Sequence, residues 1–235
     1  MNNFWVTEIG AWGDGSVHLT RAGVIVTLVV ILFLWIVAAI IRHRNAKSKA
    51  RLTTKQLVFS AMAIALAVVC SMIKVMEMPM GGSITLLSML FIVLIAYWYG
   101  AYVGIMTAVA YGLVQFVVEP IFYTVPQMIF DYPLAFGALG FAGFFNKKKW
   151  GLQVGYLVGV TGRYLFATIS GVLFFGAYAP EGMHPVIYSL VYQASYIVPE
   201  ALITLVILCI PQVTKALTYV KNQAEEDGLN ALHHN

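Results

Sequence analysis

The sequence predicts an all-α integral membrane protein: a six-helix bundle preceded by one extra N-terminal transmembrane helix. Three observations carry this. Of the 235 residues, 60% are hydrophobic and only 10% charged, and the mean hydropathy is +0.83; soluble domains carry roughly 25% charged residues. The apolar residues fall in long uncharged runs that reach the ~18 residues of a membrane-spanning helix. Most Lys and Arg cluster directly beside those runs, as they do in cytoplasmic loops. A water-soluble enzyme is excluded, and the net charge of +4 marks topology, not a nucleic-acid partner.

The elements follow in order. Ala22 to Ile41 is uncharged over 20 residues and is followed by Arg42, Arg44, Lys47, Lys49, Arg51 and Lys55. The start before it is acidic, with Glu8 and Asp14, and the run is longer than the 7–15-residue core of a signal peptide. It reads as a retained helix that ends inside. Gln56 to Ile73 is the next run, closed by Lys74 and Glu77. Met78 to Val118 then gives 41 residues without formal charge, about twice one span, so it must fold back. Tyr97-Trp98-Tyr99-Gly100 is the natural corner, leaving helices near Ile84 to Trp98 and Ala101 to Val118.

Glu119-Pro120 breaks the pattern before a helix from about Val125 to Phe145, which Lys147, Lys148 and Lys149 follow. The last two spans run from about Leu152 to Phe175 and from about Pro185 to Pro211, interrupted only by Arg163 and Glu200. Placing the basic clusters inside puts the N-terminus outside and the C-terminus in the cytoplasm, and leaves only Arg21, Lys74 and Arg163 elsewhere. Cys70 and Cys209 fall inside apolar spans and read as small buried hydrophobes.

A charge near the bilayer centre costs roughly 2.5–3.5 kcal/mol, so Asp131, Arg163 and Glu200 each need a reason. Asp131 lies six residues into an inward-running helix, ~9 Å deep. It reads either as an anionic anchor for a ligand bearing positive charge or amino donors, or as a helix N-terminal carboxylate stabilised by the dipole and surface water. Arg163 and Glu200 each come to ~16 Å from the cytoplasmic boundary. They read as a structural ion pair between adjacent helices, with a proton relay as the alternative. Tyr188, Tyr192 and Tyr196 share a helix face; an aromatic belt explains Tyr178 and Tyr188, but the deeper amide of Gln193 demands a hydrogen-bonding partner.

Ala61 and Ala65, with Ala63 and Ala67, form small-residue strips on which another helix can pack closely. Gly100/Gly104 and Gly155/Gly159 have the same spacing and read as packing sites within the chain. There is no Gly-x-x-x-x-Gly-Lys-Ser/Thr, His-Glu-x-x-His or Gly-x-Ser-x-Gly, so ATP hydrolysis by that loop, metalloprotease and serine-hydrolase chemistry have no residues to rest on.

Over residues 55–215 the chain resembles the thiamine-specific substrate-binding (S) components of energy-coupling factor (ECF) transporters, the ThiT/YuaJ family. The resemblance rests on Gly81-Gly82-Ser83-Ile84-Thr85-Leu86, on Gln127-Met128-Ile129-Phe130-Asp131-Tyr132-Pro133-Leu134-Ala135-Phe136 and on Gly143. It continues from Gly171 through Phe174-Phe175-Gly176-Ala177-Tyr178 to Gly182, and through Tyr188-Ser189-Leu190-Val191-Tyr192-Gln193-Ala194-Ser195-Tyr196. It implies a plasma-membrane S-component bundle that captures the vitamin from outside. Delivery would run through a transmembrane coupling protein and two ATPase subunits, with no cofactor in this chain.

By the same resemblance, Asp131 faces the aminopyrimidine, Tyr132 accompanies it, Tyr188 contacts the pyrimidine, and Gln193 stands where Asn is usual. Gly171 and Phe175 match the helix-end motif whose aromatic stacks on the thiazolium, a cation–π contact of ~0.5–2 kcal/mol. Ala61 and Ala65 match the coupling-protein contact. Ala167 stands where some members have His, and Gly81-Gly82 where some place Trp; a thiamine precursor or another vitamin is therefore the alternative ligand. A stand-alone proton-coupled transporter is the alternative mechanism. The expected organisation is an extracellular segment (1–21), the extra helix (22–41), a basic cytoplasmic linker (42–55), the six-helix substrate-binding domain (56–214) and a cytoplasmic tail (215–235).

Overall fold

A computed structural model describes residues 52–78 and 82–230, together with a short strand pair, β1 (Val6–Thr7) and β2 (His18–Leu19). The extra helix expected over Ala22 to Ile41 lies outside the described residues. The remaining elements are α1 (Thr54–Met72), β3 (Lys74–Glu77), β4 (Ser83–Thr85), α2 (Ser88–Tyr99) and α3 (Ala101–Val118). They continue with the helical segment α4 (Val125–Phe145), α5 (Gly151–Phe174), α6 (Pro185–Leu208) and α7 (Pro211–Asn230). Two compact units divide them: Arg51–Ala167 with Val191–Asn235, and Met1–Ala50 with Thr168–Leu190.

Local sequence explains the boundaries. Thr53 caps α1: its hydroxyl accepts from the Gln56 amide at 3.2 Å, and the Gln56 side chain accepts from the Thr53 amide at 3.0 Å, a reciprocal capping box. Gly100 takes φ +87° between α2 and α3, a left-handed corner that glycine enters without a Cβ penalty. Among the described residues, five helices are long and apolar enough to cross a membrane: α1, α3, α4, α5 and α6. The chain is thus a mostly helical, multi-pass membrane protein.

One expected span takes a different form. The helix expected from Ile84 starts at Ser88, because Ser83–Thr85 pairs antiparallel with Lys74–Glu77. With 12 residues, α2 rises about 18 Å, too short for the ~30 Å apolar layer. It is instead the innermost helix of the first unit. Met89, Ile92, Val93, Ile95 and Ala96 are all buried, and apolar residues surround its axis, as a fully enclosed helix requires.

Small residues bring α2, α3, α4 and α5 into close contact. A Cβ at Gly104 would lie 2.3 Å from the Ala96 Cβ, and at Gly155 and Gly159 it would meet the Ala142 and Leu139 carbonyls at 2.9 and 3.0 Å. Gly155/Gly159 thus pack as expected, whereas Gly100 serves the corner. At Gly143 a Cβ would come within 2.3 Å of the Ala101 amide nitrogen. Backbone cannot step aside as a side chain can, so Gly143→Ala is expected to cost about 1–3 kcal/mol, measurable as a lowered melting temperature in detergent. Cys209 is exposed just past α6, contrary to its reading as a buried hydrophobe, because the helix ends at Leu208.

Beyond the six helices, residues of the expected tail form α7, anchored to the first unit. Lys55 Nζ donates to the Gln223 carbonyl at 2.5 Å, and Lys221 Nζ lies 4.4 Å from the Tyr97 ring centre.

Candidate functional site

Asp131 sits where α4 departs from α-helical geometry. Pro133 has no amide hydrogen to donate and crowds the preceding turn, and the chain widens into a π-turn over Phe130–Leu134. Such turns insert a residue and re-aim the side chains around them. The Asp131 Oδ2 accepts from Gln127 Nε2 at 2.5 Å, an i,i+4 pair.

Gln127 is fully buried and was not among the residues singled out from sequence. Its Nε2 also donates to the Ile121 carbonyl at 3.1 Å, and its Oε1 accepts from the Tyr123 amide at 3.0 Å. One amide therefore fixes the α3–α4 loop and orients Asp131 together.

Tyr132 works beside it. Its hydroxyl donates to the Glu119 carbonyl at 2.6 Å and accepts from the Ile121 amide at 2.9 Å. Its ring meets Phe116 edge-on at 5.1 Å. The loop that Tyr132 pins also carries Glu119, which pairs with Lys74 of β3 at 2.5 Å; Lys74 pairs with Glu77 at 3.1 Å. Glu119 first, and then Glu77, raise the Lys74 pKa above the ordinary lysine range.

Stability gained from that shift is complete below the unfolded value of about 10.4 and is lost as pH rises through the higher folded value. The group is exposed, so its worth is at most about 1 kcal/mol. Faster amide exchange in the β3–β4 hairpin above pH 10, or in Lys74→Gln at neutral pH, is the expected result.

The hairpin returns at Gly82 onto α6. The Gly82 amide donates to the Tyr192 hydroxyl at 3.3 Å, and a Cβ there would lie 2.5 Å from Tyr196 Cε1. Only a residue without a side chain fits this contact. The Tyr192 and Tyr196 rings are 6.0 Å apart at 70°. Gln193, as its depth demanded, is satisfied: Nε2 donates to the Ala167 carbonyl at 3.1 Å, and Oε1 accepts a short bond from the Tyr196 hydroxyl. Through Gln193, Tyr196 of α6 is tied to the backbone of α5.

The expected Arg163–Glu200 ion pair does not form. Among the described residues Arg163 has no carboxylate within 4.0 Å; its guanidinium lies 4.3 Å from the Phe136 ring centre, a cation–π contact. Glu200 is 2% exposed. Its carboxylate accepts from Thr85 Oγ1 at 2.7 Å, Ser88 Oγ at 2.9 Å and the Met89 amide at 3.4 Å. The first turn of α2 has no side-chain cap of its own, because Leu87 precedes it at φ 61°. Glu200 supplies that cap from another helix, where the dipole favours a negative charge.

In the other unit, Gly171 lies in the last turn of α5 and its carbonyl accepts from the Phe175 amide at 3.0 Å. Phe175 and Tyr178 are 6.3 Å apart, centre to centre, and Tyr188 opens α6, its amide donating to the His184 carbonyl at 3.0 Å. Beside these residues, the buried hydroxyls of Thr168, Ser170 and Ser189 have no hydrogen-bond partner among the described residues. Ala61 and Ala65 are exposed on the outer face of α1, while Ala63 and Ala67 are buried.

The family model described as "Thiamine transporter protein (Thia_YuaJ)" matches residues 57–220. The chain belongs to this family. It is 36% identical over 167 residues to the thiamine transporter ThiT of Bacillus subtilis, covering 65% of this chain and 85% of that one. A second ThiT, from Lacticaseibacillus paracasei, is 30% identical over 95 residues, 35% of this chain and 47% of that one. A solved structure of ThiT from Listeria monocytogenes superposes with a TM-score of 0.56 at 25% identity, covering 67% of this chain and 96% of that one. The Thia_YuaJ family is one of membrane transporters, not of enzymes. The family resemblance and the helical membrane fold read from the sequence are borne out.

Proposed function

We propose that this chain is the thiamine-binding S component of an ECF-type transporter, taking the vitamin from outside. The observation that carries the reading is Asp131: a carboxylate within the apolar span of α4, held at a π-turn by Gln127. An anion so placed costs several kcal/mol unless a cation or strong donors meet it. Thiamine offers both, a permanently charged thiazolium and an aminopyrimidine.

By the family resemblance, Asp131, Tyr188 and Gln193 are assigned to the aminopyrimidine, and Phe175 with Gly171 to the thiazolium. Tyr132 keeps the α3–α4 loop in register. The chain enters with its N-terminus outside and leaves with its C-terminus in the cytoplasm, which puts Lys147–Lys149, Lys215 and Lys221 inside. Ala61 and Ala65, exposed at i,i+4 spacing on α1, form the strip for the coupling protein. That protein and two ATPase subunits supply the driving force.

The test is thiamine uptake into liposomes. Uptake is expected only when the coupling protein and ATPases are reconstituted with the chain and ATP is inside. Uptake by the chain alone, driven by a pH gradient, would replace this mechanism with proton coupling.

A further inference from the structure

At the opposite helix ends from Asp131, the C-terminus of α2, the start of α5 and the α6–α7 turn border a half-open cavity of about 400 Å³, within the 300–1,000 Å³ range of small-ligand sites. Tyr97, Trp98, Trp150, Leu208, Lys215 and Thr218 are among the residues that line it. Trp150 is held at φ 61°, a backbone conformation that bulky residues adopt only under constraint, and the residue is 65% exposed.

The Trp98 Nε1–H is buried with no acceptor among the described residues. Lys147, Lys148 and Lys149 immediately precede Trp150. Among the described residues, none of these three or Lys215 has a carboxylate within 4.0 Å. The cavity lies where apolar helices α2, α5 and α6 end, the level at which a bilayer changes from tails to head groups.

An aromatic wall, the Lys215 ammonium with no carboxylate beside it, the Trp98 Nε1–H without an acceptor and interfacial depth together describe a receptor for a phosphate carried on a lipid. We infer that this cavity binds the head group of an anionic phospholipid from the leaflet at the basic end of the bundle. Lys215 meets the phosphate, and Trp150 lies against the glycerol at the interface. The glycerophosphate is acceptor-rich and carries the charge that the cavity lacks.

The test is native mass spectrometry of the full chain in mixed micelles containing equal traces of phosphatidylglycerol and phosphatidylcholine. The expected result is retained phosphatidylglycerol in preference to phosphatidylcholine, with Lys215→Gln lowering that preference about fivefold, the worth of one lysine near a charged surface. Thr218→Phe, which fills the cavity without changing charge, is expected to lower it as well, and provides an independent reading if Lys215→Gln lowers the melting temperature. Equal retention of the two lipids, or a preference untouched by both variants, overturns the inference. Displacement of phosphatidylglycerol by soluble sn-glycerol 1-phosphate overturns the lipid source.

Discussion

Asp131→Asn is expected to weaken thiamine binding by about 10- to 150-fold, the worth of one charge-assisted hydrogen bond, while leaving the fold intact. Asparagine keeps an oxygen to accept from Gln127 Nε2, so the 2.5 Å contact and the α3–α4 loop survive. What is lost is the negative charge. Phe175→Ala is expected to cost less, about 2- to 30-fold, because a cation–π contact is worth ~0.5–2 kcal/mol. Isothermal titration of the two purified variants checks both the sign and the order. An Asp131→Asn protein that binds as tightly as the parent removes Asp131 from the site.

Glu200→Ala is expected to destabilise the protein by about 2–4 kcal/mol. The substitution strips the acceptor from Thr85, Ser88 and the Met89 amide at once, and buried donors left unsatisfied cost about 1–3 kcal/mol each before relaxation. Glu200→Gln is expected to cost only about 1 kcal/mol, because its oxygen still serves Ser88 and Met89 and the Thr85 hydroxyl can turn to accept. Melting in detergent separates the two. Loss of stability in Glu200→Ala is also expected to loosen the β3–β4 hairpin, since Thr85 ends β4 and Ser88 begins α2. Equal melting temperatures for the two variants would contradict the capping role.

Much of this architecture was legible from charge alone. Where a span is interrupted by a single ionisable residue, the cost of burying it makes the residue conspicuous, and Asp131 and Glu200 both have dedicated hydrogen-bond partners. The same logic picked out Gln193, whose amide was too deep to be left unsatisfied. What failed was pairing. Equal depth placed Arg163 and Glu200 at one level, but depth says nothing about azimuth around the helix. Arg163 turns to Phe136, and Glu200 to the start of α2.

The hairpin was hidden for a different reason. Residues 78–118 carry no formal charge, and an apolar stretch reads alike as strand or buried helix until its length decides. The β-branched Ile84 and Thr85 were the only local hint. Gln127 was missed although its signal was present: it stands four residues before Asp131, on the same helix face. Its second task, holding the Ile121 and Tyr123 backbone, depends on a loop whose path no periodicity reveals.

The most direct measurement is a fluorescence titration of the purified full chain with thiamine, hydroxymethylpyrimidine and riboflavin. Saturable quenching by thiamine is expected, with weaker quenching by hydroxymethylpyrimidine, which lacks the thiazolium, and none by riboflavin. A saturable response to riboflavin with silence toward thiamine would contradict the thiamine assignment.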